Sequence, residues 1–175
     1  MYEIRIHSRG GQGGVTAARL LALAAIRDGK YATACPFYGA ERRGAPVVSY
    51  VRIDDHPIRV YSQIRHPDLV LILDTSVMDV VDVLNGMKPG GRVLVNATDH
   101  REMKGFPSFS VDLTGIALRE NLVVAGNPIL NTAVLGALAK MGIVTMESAK
   151  MAIQEMFSDK RNVTAAEAAY AELVA

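Results

Sequence analysis

The first residues of the chain, Tyr2-Glu-Ile-Arg-Ile-His7, alternate between apolar and polar side chains. A period of two puts one set on each face of an extended backbone, so Tyr2 to His7 is predicted as the first strand. The pattern then changes twice. Ser8 to Gly14 is dense in glycine, and Thr16 to Arg27 carries Ala, Leu and Ile at helical spacing until Gly29 ends the run. A second strand is predicted over Tyr31 to Cys35, ended by Pro36, and a third over Val47 to Ile53. Asp54-Asp-His-Pro57 reads as a turn, after which Ile58 to Tyr61 is expected to pair back as a short hairpin arm.

Leu69 to Leu73 is a continuous apolar run that ends in Asp74, and Arg92 to Val95 is a second one that ends in Asn96. Unbroken runs of this length suit parallel strands covered on both faces. Phe109 to Val111 is expected to be a last short strand. Helices are expected over Val77 to Leu84, Pro128 to Met141, Thr145 to Phe157 and Val163 to Val174. Strands alternating with helices predict an α/β fold: a single Rossmann-like open sheet, mostly parallel, with a β-hairpin insertion and a helical C-terminal part. No repeat or low-complexity linker divides the chain, so residues 1–175 are read as one domain.

Composition narrows the function classes. Half of the 175 residues are hydrophobic and 21% are charged, which excludes a disordered tail protein. Nineteen Lys and Arg residues nearly balance 18 Asp and Glu residues, for a net charge of +1. Neither a nucleic-acid duplex nor an anionic membrane would be attracted at long range, and neither is an expected partner. Cys35 is the only cysteine, and one thiolate cannot hold an iron–sulfur cluster, a structural zinc or an internal disulfide. No apolar stretch approaches the roughly 20 residues of a membrane span. The start of the chain carries an early acid and no signal-like apolar run. A cytoplasmic location is expected, which makes the Asn96 and Asn162 sequons chance matches.

The chemistry concentrates in two places. Between the first strand and the first helix stands Arg9-Gly-Gly-Gln-Gly-Gly14. Glycines there permit left-handed backbone and close approach of a ligand, and the helix start aims N–H groups outward, as an anion site requires. The plainer alternative is a tight turn that only lets the helix pack on the strand. A phosphate loop of the Walker type would need a lysine that Gly14-Val-Thr16 lacks. A dinucleotide fold would need an acid at the end of the second strand to hold the ribose, and Tyr31 to Pro36 has none. The second place is Tyr38-Gly-Ala-Glu-Arg-Arg-Gly-Ala-Pro46. Arg42 and Arg43 could clamp an anion near the glycine loop, pair with a partner chain, or form a solvated pair with Glu41. Asp74 and Asn96 lie on the sheet edge where α/β proteins bind ligands, with capping of the following elements as their more ordinary role. The four histidines show no metal-ligand spacing, and Met146, Met151 and Met156 fit helix packing. No residue stands out as catalytic.

Taken in order, Ile6-His-Ser-Arg-Gly-Gly-Gln-Gly-Gly-Val-Thr-Ala-Ala18, the Pro36 to Pro46 segment with its Glu-Arg-Arg-Gly, Val51-Arg-Ile53, Pro67-Asp68 and Leu73-Asp74 resemble the gamma subunit of 2-oxoacid:ferredoxin oxidoreductases of the pyruvate or 2-oxoisovalerate type. One departure is Ser8, where the family often has glycine. The resemblance implies an enzyme subunit, inactive alone, of a complex that converts a 2-oxoacid and coenzyme A (CoA) into acyl-CoA and CO₂ and passes electrons to ferredoxin. It implies thiamine diphosphate and 4Fe–4S clusters on the partner alpha, beta and delta (ferredoxin-like) subunits, with neither bound by this chain alone. It also implies that the loop of Gly10, Gly11, Gln12, Gly13 and Gly14, with Arg42 and Arg43, faces CoA. A stand-alone nucleotide-binding enzyme and a non-catalytic assembly module are the alternatives.

Overall fold

In the computed structural model, strand β1 (Tyr2–Arg9) lies inside the sheet and is covered on both faces: Ile4 and Ile6 are fully buried on one side, Arg5 and His7 almost fully on the other. Residues 1–37 and 44–175 are described. A glycine turn leads into α1 (Gly14–Arg27), which buries Ala17, Leu20, Leu21 and Ala24 against the sheet. Two strands follow, β2 (Tyr31–Phe37) and β3 (Pro46–Asp54). The apolar runs form β4 (Leu69–Ile72) and β5 (Arg92–Asn96), and β6 (Ser108–Val111) closes the sheet. Next come α2 (Leu113–Arg119), a small hairpin of β7 (Val123–Val124) and β8 (Asn127–Pro128), and three helices, α3 (Ala133–Lys140), α4 (Met146–Met156) and α5 (Arg161–Glu172).

The six strands run in the order β2-β3-β1-β4-β5-β6. The pairs β1–β4, β4–β5 and β5–β6 are parallel, and β3 is antiparallel to both its neighbours. Five strands therefore point one way and β3 the other, so the sheet is mostly parallel as expected. Leu69, Leu71 and Leu94 face a core shared with α1, α3, α4 and α5. Val70, Ile72, Val93 and Val95 face a second, smaller core closed by Val77, Val83 and Met103. Among the described residues, no helix is long and apolar enough to cross a membrane.

Several expected elements differ, each for a physical reason. Ile58 to Tyr61 forms no strand, because β3 already pairs on both edges, with β1 and with β2. The antiparallel hairpin arm is β2 instead. That strand continues through Pro36, which an edge strand tolerates because one side of it needs no ladder donor. Val77 to Leu84 is not a helix but a short 3₁₀ turn over Thr75–Asp79 followed by further turns. Its valines have low helix propensity, and Asp74 and Asp82 accept hydrogen bonds from the nearby N–H groups of Ser76 and Leu84, closing local turns. The helix expected from Pro128 starts only at Ala133, because Asn127 and Pro128 pair with β7. The sequence reading missed α2, although Asp112 before Leu113, Ile116 and Ala117 is a start signal: its carboxylate accepts the Gly115 N–H at 2.7 Å.

Candidate functional site: the glycine-loop cleft

The loop begins where β1 ends. Gly11 and Gly13 have φ of 96° and 88°, a region that favours glycine, and Gly13 serves as the N-cap of α1. Gly14 answers to a different constraint. A Cβ there would stand 2.3 Å from the Ser8 Oγ and 2.9 Å from the Ser8 Cβ, so the bare backbone is what lets α1 start against β1.

The amide groups of the loop divide into two sets. Gly10 N–H donates to the Ala45 carbonyl at 3.0 Å, and Gln12 N–H to the Arg9 carbonyl at 3.2 Å. The N–H groups of Gly11, Gly13, Gly14 and Val15 make no hydrogen bond among the described residues. They cluster at the positive end of a 14-residue helix whose first turn carries no acid.

The Gln12 side chain braces the loop rather than facing outward. Its Oε1 accepts the Arg9 N–H at 2.8 Å, and its Nε2 donates to the Asp74 carboxylate at 2.7 Å. Arg9 donates through Nε to the Ser76 Oγ at 2.7 Å and through Nη1 to the Gly44 carbonyl at 2.9 Å. Burial works to raise the Asp74 pKa, but hydrogen bonds from Ser76 and Gln12 and the charge of Arg9 outweigh it and hold the carboxyl below its ordinary value. Asp74 and Asn96 take the structural role. Asp74 caps the 3₁₀ turn, and Asn96 donates to the Leu73 carbonyl and the Thr114 hydroxyl, each at 2.9 Å.

The loop floors a cleft of about 660 Å³, within the usual range of ~300–1,000 Å³ for small-molecule sites. Val47, Val124, Ile129 and Phe157 supply apolar wall, and Arg9 and Asn131 supply polar groups. Asn131 is 5% exposed and its Oδ1 is buried with no hydrogen-bond partner. It lies directly against Gly13, whose Cβ, if present, would meet the Asn131 Cβ at 3.0 Å. Sequence reasoning missed Arg9, Asn131 and the apolar wall. Arg9 adjoins the glycines and was within reach of it. The others come from distant segments and carry no local signal.

Of the residues singled out in the sequence, Gly10, Gly11, Gly13 and Gly14 line this cleft, whereas Gln12 does not and instead braces the loop through Arg9 and Asp74. Arg42 and Arg43 lie outside the described residues. Gly44, the next residue in the chain, donates its N–H to the Gly10 carbonyl at 3.3 Å. Among the described residues, no three His, Cys, Asp or Glu side chains gather as metal ligands.

The family model for pyruvate ferredoxin/flavodoxin oxidoreductase matches residues 3–172. The chain belongs to this family, as a gamma subunit. The gamma subunit common to the pyruvate and ketoisovalerate oxidoreductases of Thermococcus kodakarensis is 51% identical to it, over 99% of this chain and 98% of the relative. The pyruvate synthase subunit PorC of Methanocaldococcus jannaschii is 47% identical over the same shares. Among solved structures, the pyruvate oxidoreductase subunit PORC of Thermotoga maritima superposes with a TM-score of 0.81 at 35% identity, covering 99% of this chain and 97% of that one. The 2-oxoglutarate:ferredoxin oxidoreductase of Magnetococcus marinus shares the fold, with a TM-score of 0.76 at 16% identity over 97% of this gamma subunit and 30% of its own chain.

Proposed function

We propose that this gamma subunit holds coenzyme A for the oxidoreductase it helps to form, in which a 2-oxoacid and CoA yield acyl-CoA and CO₂ with electrons passed to ferredoxin. The observation that carries the reading is the set of N–H groups at Gly11, Gly13, Gly14 and Val15, which have no hydrogen-bond partner among the described residues and border a 660 Å³ cleft. Amides at a helix start favour a phosphate or pyrophosphate. The apolar wall of Val47, Val124, Ile129 and Phe157 suits the rest of an elongated nucleotide-bearing thiol, and the unpartnered Asn131 Oδ1 would accept one of its N–H groups. The absence of a ribose-binding acid on β2 argues against a nicotinamide dinucleotide. The structure of the Magnetococcus marinus enzyme, which shares the fold, carries bound coenzyme A and succinyl-CoA.

In this account Gly10 and Gln12 shape the loop, and Gly11, Gly13 and Gly14 face the ligand. Arg42, and after it Arg43, add charge from a segment that rejoins the loop at Gly44. None of these residues makes or breaks a bond. Thiamine diphosphate supplies the carbon chemistry and 4Fe–4S clusters the electron transfer when bound on the alpha, beta and delta subunits. With Cys35 as its only cysteine, this chain lacks the thiolates a cluster needs.

The test is Arg42→Ala in the assembled enzyme. Losing one charge-assisted contact to phosphate should raise the apparent KM for CoA about tenfold while kcat falls less. Unchanged CoA kinetics would overturn the reading.

A further inference from the structure

On the sheet face opposite α1, a second depression of about 410 Å³ is built around Arg5. This side chain leaves the middle of β1 and is 8% exposed. Its Nη2 donates to the carbonyls of Val83 and Asn85, both at 2.8 Å. Its Nε is buried without a partner, and its Nη1 makes no hydrogen bond among the described residues. None of the described residues places a carboxylate within ion-pair distance of it. Burial lowers the guanidinium's pKa, and the more distant Tyr50 hydroxyl and Asp82 pull the other way.

The same face shows how a buried cation is matched when the chain itself provides the anion. Arg52 is 2% exposed and donates through Nε to Glu3 at 3.0 Å. Lys88 stands 2.8 Å from Asp68 and 3.6 Å from Glu3. Among the described residues Arg5 has no such partner, and withdrawing an arginine from water without one is costly. The mouth of the depression adds positive charge from the exposed Arg65, and none of its described lining residues is acidic. Beside it runs a segment with two exposed apolar side chains, Val60 and Tyr61, the latter 70% exposed. The Val60 carbonyl accepts from Arg52 Nη1 at 3.5 Å, which ties this segment to β3.

We propose that Arg5 receives the carboxylate of an aspartate or glutamate from a sister subunit, with Arg65 at the mouth and Val60 and Tyr61 packing alongside. The exposed Val60 and Tyr61 beside the depression mark a surface that a protein partner covers. A free acid would leave these side chains in water, whereas a protein surface covers them as it delivers the carboxylate. The inference needs only that this chain works among sister subunits, and it holds wherever CoA binds.

The experiment uses the whole complex, isolated through a tag on this chain. Arg65→Glu alters an exposed residue and leaves the core intact. It should cut the amount of sister subunit retained by about tenfold while the melting curve of the isolated chain stays unchanged. Arg5→Gln should do the same wherever circular dichroism shows it folded. In complexes carrying Arg65→Lys, zero-length carbodiimide coupling should join position 65 to an acidic residue of another subunit. Full retention of sister subunits by folded Arg65→Glu would overturn the proposal, as would couplings confined to this chain. Saturable acetate or phosphate binding by the isolated chain, lost in Arg5→Gln, would also overturn it by assigning the depression to a free anion.

Discussion

Ser8 and Gly14 show how closely two residues can set a site. The Ser8 side chain is 1% exposed and lies where a Gly14 Cβ would project. Gly14→Ala should therefore destabilise the chain by about 1–3 kcal/mol through overpacking. Ser8→Gly removes both atoms in conflict. The double variant Ser8→Gly/Gly14→Ala should recover most of that loss, apart from the ~1 kcal/mol that glycine adds in a strand. Urea denaturation of the four proteins checks this, and simple additivity would show that the two positions do not compete for space. His7, next but one to Arg9, makes a separate point. It lies in register with Val48 and Ile72, is 2% exposed, and neither ring nitrogen has a partner. Burial, helped by the charge of Arg5, lowers its pKa from 6.5 to about 4. Above pH 6.5 neither the folded nor the unfolded chain holds the proton. As pH falls from 6.5 toward 4 the unfolded chain takes it up and the folded chain does not, so stability drops by about 3 kcal/mol in all. His7→Phe should flatten that limb by one proton when stability is measured across this range, and an unchanged slope would place the titration elsewhere.

At the scale of elements, α3 and α5 approach each other through Gly136. A Cβ there would stand 1.7 Å from the Ala166 carbonyl oxygen, a backbone atom that cannot move alone. Gly136→Ala should separate the helices at the upper end of the roughly 1–3 kcal/mol typical of overpacking, lowering Tm by about 6–12 °C for a chain of this size. A Tm within about 2 °C of the parent would contradict that packing. Elements whose signal is local could be read before the fold was known: α1, the glycine turn, and the apolar runs that became β4 and β5. Those fixed by distant partners could not. Nothing between Tyr31 and Tyr61 says that β3 inserts between β1 and β2, and that insertion is what leaves Ile58 to Tyr61 without a ladder. Half of the cleft was legible for the same reason. Gly10 to Gly14 are contiguous, whereas Asn131, Val124 and Phe157 reach the loop only after α2 and the β7–β8 hairpin have brought the second half of the chain back to it.

For the whole molecule, the sheet separates two candidate sites. Its C-terminal edge presents the glycine loop, braced by Gln12, Arg9 and Asp74, and its face opposite α1 presents Arg5. The proposed function rests on the first of these, a helix start whose N–H groups are proposed to meet a phosphate of CoA. Hydrogen–deuterium exchange on the assembled oxidoreductase, with and without CoA, tests it most directly. Slowed exchange at residues 11–15 and 129–131 when CoA is added is the expected result. Exchange there that is indifferent to saturating CoA, with protection confined to the other subunits, would contradict it.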